Sequence, residues 1–140
     1  VDASFVLEHR TAPGYALLDA RDAVYYDGIE TGGEAAHPHR RGHVPGARSL
    51  PFSSITTDDL HLLPPEKLQR LFDRAGVEPG DVVIAYCHIG QQATAVLFAA
   101  RSLGFDVRLY DGSFEDWSQR AELPVEGPAP APAPAGAAAP

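Results

Sequence analysis

Val82-Val83-Ile84-Ala85-Tyr86-Cys87-His88-Ile89-Gly90-Gln91-Gln92-Ala93-Thr94-Ala95-Val96-Leu97-Phe98-Ala99-Ala100 is the stretch from which the fold can be read. Its first five residues are apolar and β-prone, follow Gly80-Asp81, and read as a buried strand. Ala93 to Leu103 reads as a helix, with Gly104 as the expected C′ glycine. Between strand and helix lies a short loop that opens with Cys87, the single cysteine of the chain. Such a loop can turn backbone N–H groups inward, and the helix N-terminus adds about half a positive charge beside the sulfur. Both effects favour thiolate over thiol, and the thiolate is the nucleophile. A lone cysteine is otherwise a small buried hydrophobe. The strand–loop–helix setting favours chemistry.

Working outward, the alternation recurs. Pro64 and Pro65 open an amphipathic helix in which Leu68, Leu71, Phe72 and Ala75 follow i, i+3, i+4, i+7, and Gly76 ends it. Asp2 is placed to cap a short helix through Arg10, with Phe5 and Val6 turned inward. Tyr15 to Leu18 reads as a buried strand ending at the Asp19-Ala20-Arg21-Asp22 turn, and Ala47 to Pro51 as another short strand. Val107 to Tyr110 reads as a strand, Asp111-Gly112 as a turn, and Phe114 and Trp117 sit on a last short helix, Trp117 as a core anchor. Tyr26 to Gly42 is rich in Gly and His and lacks periodicity, so it reads as a loop that can carry function. Strands alternating with helices predict an α/β domain with a mainly parallel central sheet. Ligands gather beyond the carboxyl ends of such strands, where Cys87 and the Asp19–Arg21 turn both lie.

The chain has 140 residues, enough for one core. Gly127 to Pro140 is almost wholly Pro, Ala and Gly and has no apolar face to bury. Residues 1–126 are therefore predicted to form the domain, and 127–140 a disordered tail or linker. Eleven Lys and Arg against nineteen Asp and Glu give a net charge of −8, a poor match to nucleic acid. No apolar run approaches the ~20 residues of a membrane span. One cysteine excludes an internal disulfide and leaves the compartment open. The chain starts at Val1 and contains no Met, so it reads as a processed product or an excised piece. The cytoplasm is the default compartment, with export as the alternative.

Four segments, taken in order and spacing, resemble the rhodanese family of sulfurtransferases. They are Leu17-Leu18-Asp19-Ala20-Arg21; Gly42-His43-Val44-Pro45-Gly46-Ala47 with Leu50-Pro51; Tyr86-Cys87 with its loop; and Tyr110-Asp111-Gly112-Ser113-Phe114 through Trp117 to Leu123-Pro124-Val125. The last segment, and the long Tyr26–Gly42 insertion, look like the catalytic domain of thiosulfate or mercaptopyruvate sulfurtransferases. The resemblance implies a doubly wound α/β domain, with the sheet flanked by helices, and a two-step sulfur relay. Cys87 takes the outer sulfur of a donor such as thiosulfate as a persulfide, and a thiophile (cyanide, a thiol or a protein thiol) removes it. Backbone N–H groups of His88, Ile89, Gly90, Gln91 and Gln92 would stabilise thiolate and persulfide alike, with no metal and no organic cofactor. A second rhodanese domain or another chain is a further candidate partner.

The chain departs from the pattern where thiosulfate, a dianion, would need cations. The second loop position is His88, where thiosulfate-preferring members have arginine, and the third is Ile89, where they have lysine. Tyr25 stands where tandem members often carry arginine. At roughly 1.5–3 kcal/mol for a hydrogen bond to a charged group, such losses weaken thiosulfate binding by a few orders of magnitude. Arg21, Arg40 and Arg41 are the candidates to compensate, and Asp19 is expected to pair with Arg21 and order the rim. The third position is also not serine, so the arrangement associated with mercaptopyruvate is absent. His37 and His39 read as residues of a solvated loop rather than a metal site, and His43 as a structural turn residue. Two other readings compete: a non-catalytic or sulfur-carrier interaction module, and a dual-specificity-type phosphatase. The latter has a loop one residue longer that closes on arginine, because phosphate needs more room and a bidentate cation. Here Cys87 to Gln92 is six residues and no arginine closes it.

Overall fold

The computed structural model describes residues 1–127. The predicted tail at 127–140 therefore falls, apart from Gly127, outside the described residues. The central sheet has four strands in the order β4 (Arg48–Ser49), β1 (Tyr15–Asp19), β5 (Val82–Tyr86) and β6 (Asp106–Leu109). All three pairings are parallel, with Leu18 opposite Ala85 and Ala85 opposite Leu109. Its helices are α1 (Ala3–His9), α2 (Ala23–Tyr26), α3 (Pro65–Arg74), α4 (Gln91–Ser102) and α5 (Ser113–Gln119).

Strand periodicity divides the core in two, because successive side chains point to opposite faces. Ala16, Leu18, Val83, Ala85 and Cys87 face one way, against Leu68 and Phe72 of α3 and Val96, Ala99 and Ala100 of α4. Leu17, Ile84 and Tyr86 face the other way, against Ala3 and Val6 of α1 and Phe114 and Trp117 of α5. Helices on both faces make the domain doubly wound, as expected. Asp2 caps α1 by accepting the Phe5 N–H at 2.9 Å, and Val6 is buried while Phe5 is half-buried.

Several boundaries differ from the sequence reading. Helix α4 starts at Gln91, two residues early, because Gly90 adopts a left-handed conformation and turns the chain straight into the first helical turn. The strand expected over Ala47–Pro51 shrinks to two residues, after which Phe52–Ser54 form a 3-10 turn. The Tyr26–Gly42 loop is not wholly irregular. It contains a small antiparallel hairpin, β2 (Gly33–Glu34) with β3 (His37–Pro38), too short for periodicity to reveal. No helix among the described residues is long and apolar enough to cross a membrane.

Candidate active site

The carboxyl ends of β1 and β5 lie side by side, since Asp19 pairs with Tyr86. One residue further, Cys87 opens the loop to α4. Its side chain is only 1% exposed and forms the floor of a cavity of about 210 Å³ lined by His88, Ile89, Gln91 and Gln92. The Gly90 N–H donates to Cys87 Sγ at 3.1 Å, a contact that strengthens as negative charge collects on sulfur. Only glycine fits there: φ is +98°, and a Cβ would stand 2.9 Å from Asp111 Oδ1. The loop is anchored from α5. Ser113 Oγ accepts the Cys87 N–H at 3.1 Å, while the Phe114 and Glu115 N–H groups donate to the carbonyls of Cys87 and His88 at 2.9 and 3.0 Å. Ser113 takes a left-handed φ of 54° to do this.

Beneath the loop is a buried polar network. Asp19 is 0% and Arg21 1% exposed. Arg21 donates to both carboxylate oxygens of Asp19, at 2.7 Å from Nη2, and to the Gly42 carbonyl at 2.7 Å. Tyr86 Oη donates to Asp19 Oδ2 at 2.7 Å and accepts the Val44 N–H at 3.1 Å. The Arg21 guanidinium also lies 4.1 Å from the Phe114 ring centre. Burial opposes the Arg21 charge, but Asp19 outweighs it and holds the group above its ordinary range. Burial, followed by Asp19, holds the Tyr86 phenol well above its own range, so it stays a neutral donor. Asp19 and Arg21 pair, as expected, and Arg21 commits Nε and Nη2 to Asp19 and the Gly42 carbonyl.

The other two arginines also donate to protein carbonyls. Arg40 directs its guanidinium at the Trp117, Ser118, Arg120 and Leu123 carbonyls, at 3.0 to 3.1 Å. The last turn of a helix leaves carbonyls without partners, and Arg40 takes them up. Arg41 spends its Nη1 on the Gly28 and Ile29 carbonyls.

The histidines divide differently from the sequence reading. His37 is exposed, but His39 is buried and its Nε2 hydrogen-bonds Glu115 Oε2. His43 stacks on Tyr26 and bonds the Tyr26 carbonyl at 2.8 Å, a structural part. His88 is half-buried, its ring perpendicular to that of Tyr25 with centroids 4.5 Å apart, and the His39 ring centre is 6.2 Å away. Burial, then Arg21, then His39 hold its imidazole below the ordinary range, so it is neutral at pH 7. Ile89, by contrast, is 58% exposed at the mouth. Among the described residues, no group of three or more His, Cys, Asp and Glu side chains is arranged to hold a metal. Sequence reasoning missed Tyr86, Ser113, Glu115 and the burial of His39, all of which act through contacts between distant segments.

The profile of the rhodanese-like domain matches residues 2–120. Over 115 residues, 81% of this chain, the sequence is 34% identical to the mitochondrial thiosulfate/3-mercaptopyruvate sulfurtransferase 1 of Arabidopsis thaliana. Over 114 residues, 79% of this chain, it is 34% identical to the 3-mercaptopyruvate sulfurtransferase of Escherichia coli K12. These alignments cover 30% and 38% of the two relatives, so the chain spans about a third of their length. The fold is also similar to that of the anaerobic ergothioneine biosynthesis enzyme from Chlorobium limicola in complex with trimethyl histidine. There the TM-score is 0.83 at 22% identity, covering 93% of this chain and 32% of that one.

Proposed function

This chain belongs to the rhodanese family, and from that premise we propose that it is a sulfurtransferase working through a persulfide on Cys87. The observation that carries the reading is the Gly90 N–H aimed at Cys87 Sγ on the floor of an open cavity. The thiolate attacks the outer sulfur of a donor, the donor's sulfur–sulfur or carbon–sulfur bond breaks, and the sulfur stays on Cys87. The loop amides and the N-terminus of α4 favour the anion in both states. A thiophile then removes the sulfur and restores the thiolate.

The mouth of the cavity favours donors of low charge. It presents neutral His88 and apolar Ile89, while Arg21, Arg40 and Arg41 are engaged by protein carbonyls. Thiosulfate is therefore expected to be a weak donor relative to a low-molecular-weight persulfide. The test is intact-mass measurement after incubation with thiosulfate, 3-mercaptopyruvate or a glutathione persulfide, followed by cyanide or a thiol. The reading requires gain of one sulfur atom on Cys87 and its discharge by the thiophile. A sulfur that loads but resists every thiophile would instead identify a carrier. No loading from any donor would overturn the reading.

A further inference from the structure

His39, His88 and Glu115 form a chain of titratable groups that the transfer of sulfur onto Cys87 does not use. His39 is fixed at one end by Glu115, which accepts from Nε2 and so leaves Nδ1 with a lone pair. That Nδ1 is buried and has no partner among the described residues. The Nδ1 of His88 is likewise buried without a partner among them. Both atoms converge on Gly32: a Cβ there would stand 2.5 Å from His88 Nδ1 and 3.1 Å from His39 Nδ1. Two buried, unpaired nitrogens facing one spot are costly as separate groups and complementary as a donor and an acceptor. With a lone pair on His39 Nδ1, the proton of neutral His88 is favoured on its own Nδ1. Its Nε2 is then a lone pair, and Nε2 is the ring nitrogen not buried, on a residue that lines the Cys87 cavity.

We propose that His88 is the proton-transfer residue for a thiol acceptor in the second half of the reaction, with His39 and Glu115 as positioning residues that fix its tautomer. The proposal rests on the sulfur relay described above and names the acceptor class it serves. His88 Nε2 takes the proton of the incoming thiol. The thiolate sulfur bonds to the outer sulfur of the Cys87 persulfide, and the bond to Cys87 Sγ breaks with its electron pair left on Sγ. His88 returns the proton to the outer sulfur, which departs bonded to the acceptor as a persulfide. No electrons are gained or lost overall. The His39–His88 link closes by a small ring rotation or through one bridging water.

The groups facing His88 fit this task. Tyr25 of α2 packs perpendicular to the ring, Glu115 of α5 donates its N–H to the His88 carbonyl, and Arg21, Asp19 and Asp22 act on it from the end of β1 and the turn that follows. Burial and the Arg21 charge keep the imidazole unprotonated at neutral pH, as a base must be.

The experiment starts from enzyme already carrying sulfur on Cys87, verified by mass, so that donor loading is not measured. Transfer to glutathione is compared with transfer to sulfite, whose attacking sulfur bears no proton, from about pH 5 to about pH 9. His88→Asn keeps a donor near Nδ1 and removes Nε2. It is expected to lower the glutathione-to-sulfite rate ratio by about 100-fold or more. Gly32→Ala places a methyl between the two Nδ1 atoms without removing a polar group, and is expected to lower the same ratio. Glu115→Gln keeps an acceptor for His39 but removes the charge, so the acid limb of the glutathione profile moves to lower pH. Equal losses for both acceptors in His88→Asn, or an unmoved acid limb in folded Glu115→Gln, would overturn the proposal. Failure of the wild-type protein to load sulfur would instead overturn the sulfur relay itself.

Discussion

The two faces of the central sheet are built by different means. On the α3/α4 side, Ala16, Leu18, Val83 and Ala85 meet Phe72, Leu68 and Val96, and the contact is hydrocarbon throughout. On the α1/α5 side, buried aromatics carry polar ends and each end is tied: Tyr86 to Asp19, Tyr110 to Asp116, and Trp117 Nε1–H to the Pro124 carbonyl. One face supplies cohesion, which is tolerant of shape. The other supplies direction, because hydrogen bonds lose strength steeply with misalignment. Cys87 belongs to both: its side chain lies with the hydrocarbon face, and its backbone is held by Ser113 and Phe114 from the polar one.

The sharpest separation of chemistry from folding comes from Cys87→Ser. Sulfur transfer is expected to vanish while the melting temperature stays near that of the parent, since the swap is nearly isosteric and removes only the soft nucleophile. Measurable transfer by purified serine variant would break the assignment. Next, Asp19→Ala leaves Arg21 charged and buried with no counter-ion, and is expected to cost about 3–5 kcal/mol in urea unfolding. Leu18→Ala on the hydrocarbon face should cost about 2–5 kcal/mol by opening a cavity. The two faces part company in activity per folded molecule, which Leu18→Ala should retain and Asp19→Ala should lose. Equal activity in both would erase the distinction drawn above.

Charge at the mouth has a smaller effect. Ile89→Lys is expected to lower the thiosulfate KM about tenfold or more while hardly changing that of a neutral donor, since a hydrogen bond to a charged group contributes roughly 1.5–3 kcal/mol. An unchanged thiosulfate KM in a correctly folded variant would show that donors are not selected there. The smallest effect is on acid stability. The unfolded chain binds a proton on His88 near the ordinary value of 6.5, before the folded protein does. Stability is therefore full above that range, falls as pH drops through it, and levels off below the folded value. His88→Asn should flatten this part of the melting-temperature profile, and an identical profile would mean that His88 titrates alike in both states.

Much of this was readable from the chain because it rests on local pattern. The unbroken apolar, β-prone run Val82–Tyr86, the Leu68–Phe72 spacing and the prolines ahead of α3 identify elements without reference to anything distant. Cys87 was readable for the same reason, as was its pairing of Asp19 with Arg21 two residues apart. The rest was hidden by distance. His39 meets Glu115 across 76 positions and Tyr86 meets Asp19 across 67, and neither residue type announces its partner. Arg40 and Arg41 looked available because a basic pair in a polar loop says nothing about which carbonyls a helix end will leave open.

The parallel order of the sheet also bears on how the protein comes into being on the ribosome. Strand β1 is made early, yet its neighbour in the interior of the sheet is β5, so Leu17 and Leu18 wait for Ile84 and Ala85 before their backbones are paired on that side. Strand β4 can dock on the other edge in the meantime, but only through two residues. During that interval an apolar strand with an open edge is exposed to the cell, the condition under which nascent chains recruit chaperones or stick to one another. The emergence of the cysteine loop and the closing of that edge are then nearly the same event. A newborn chain acquires its reactive sulfur only as it ceases to be adhesive.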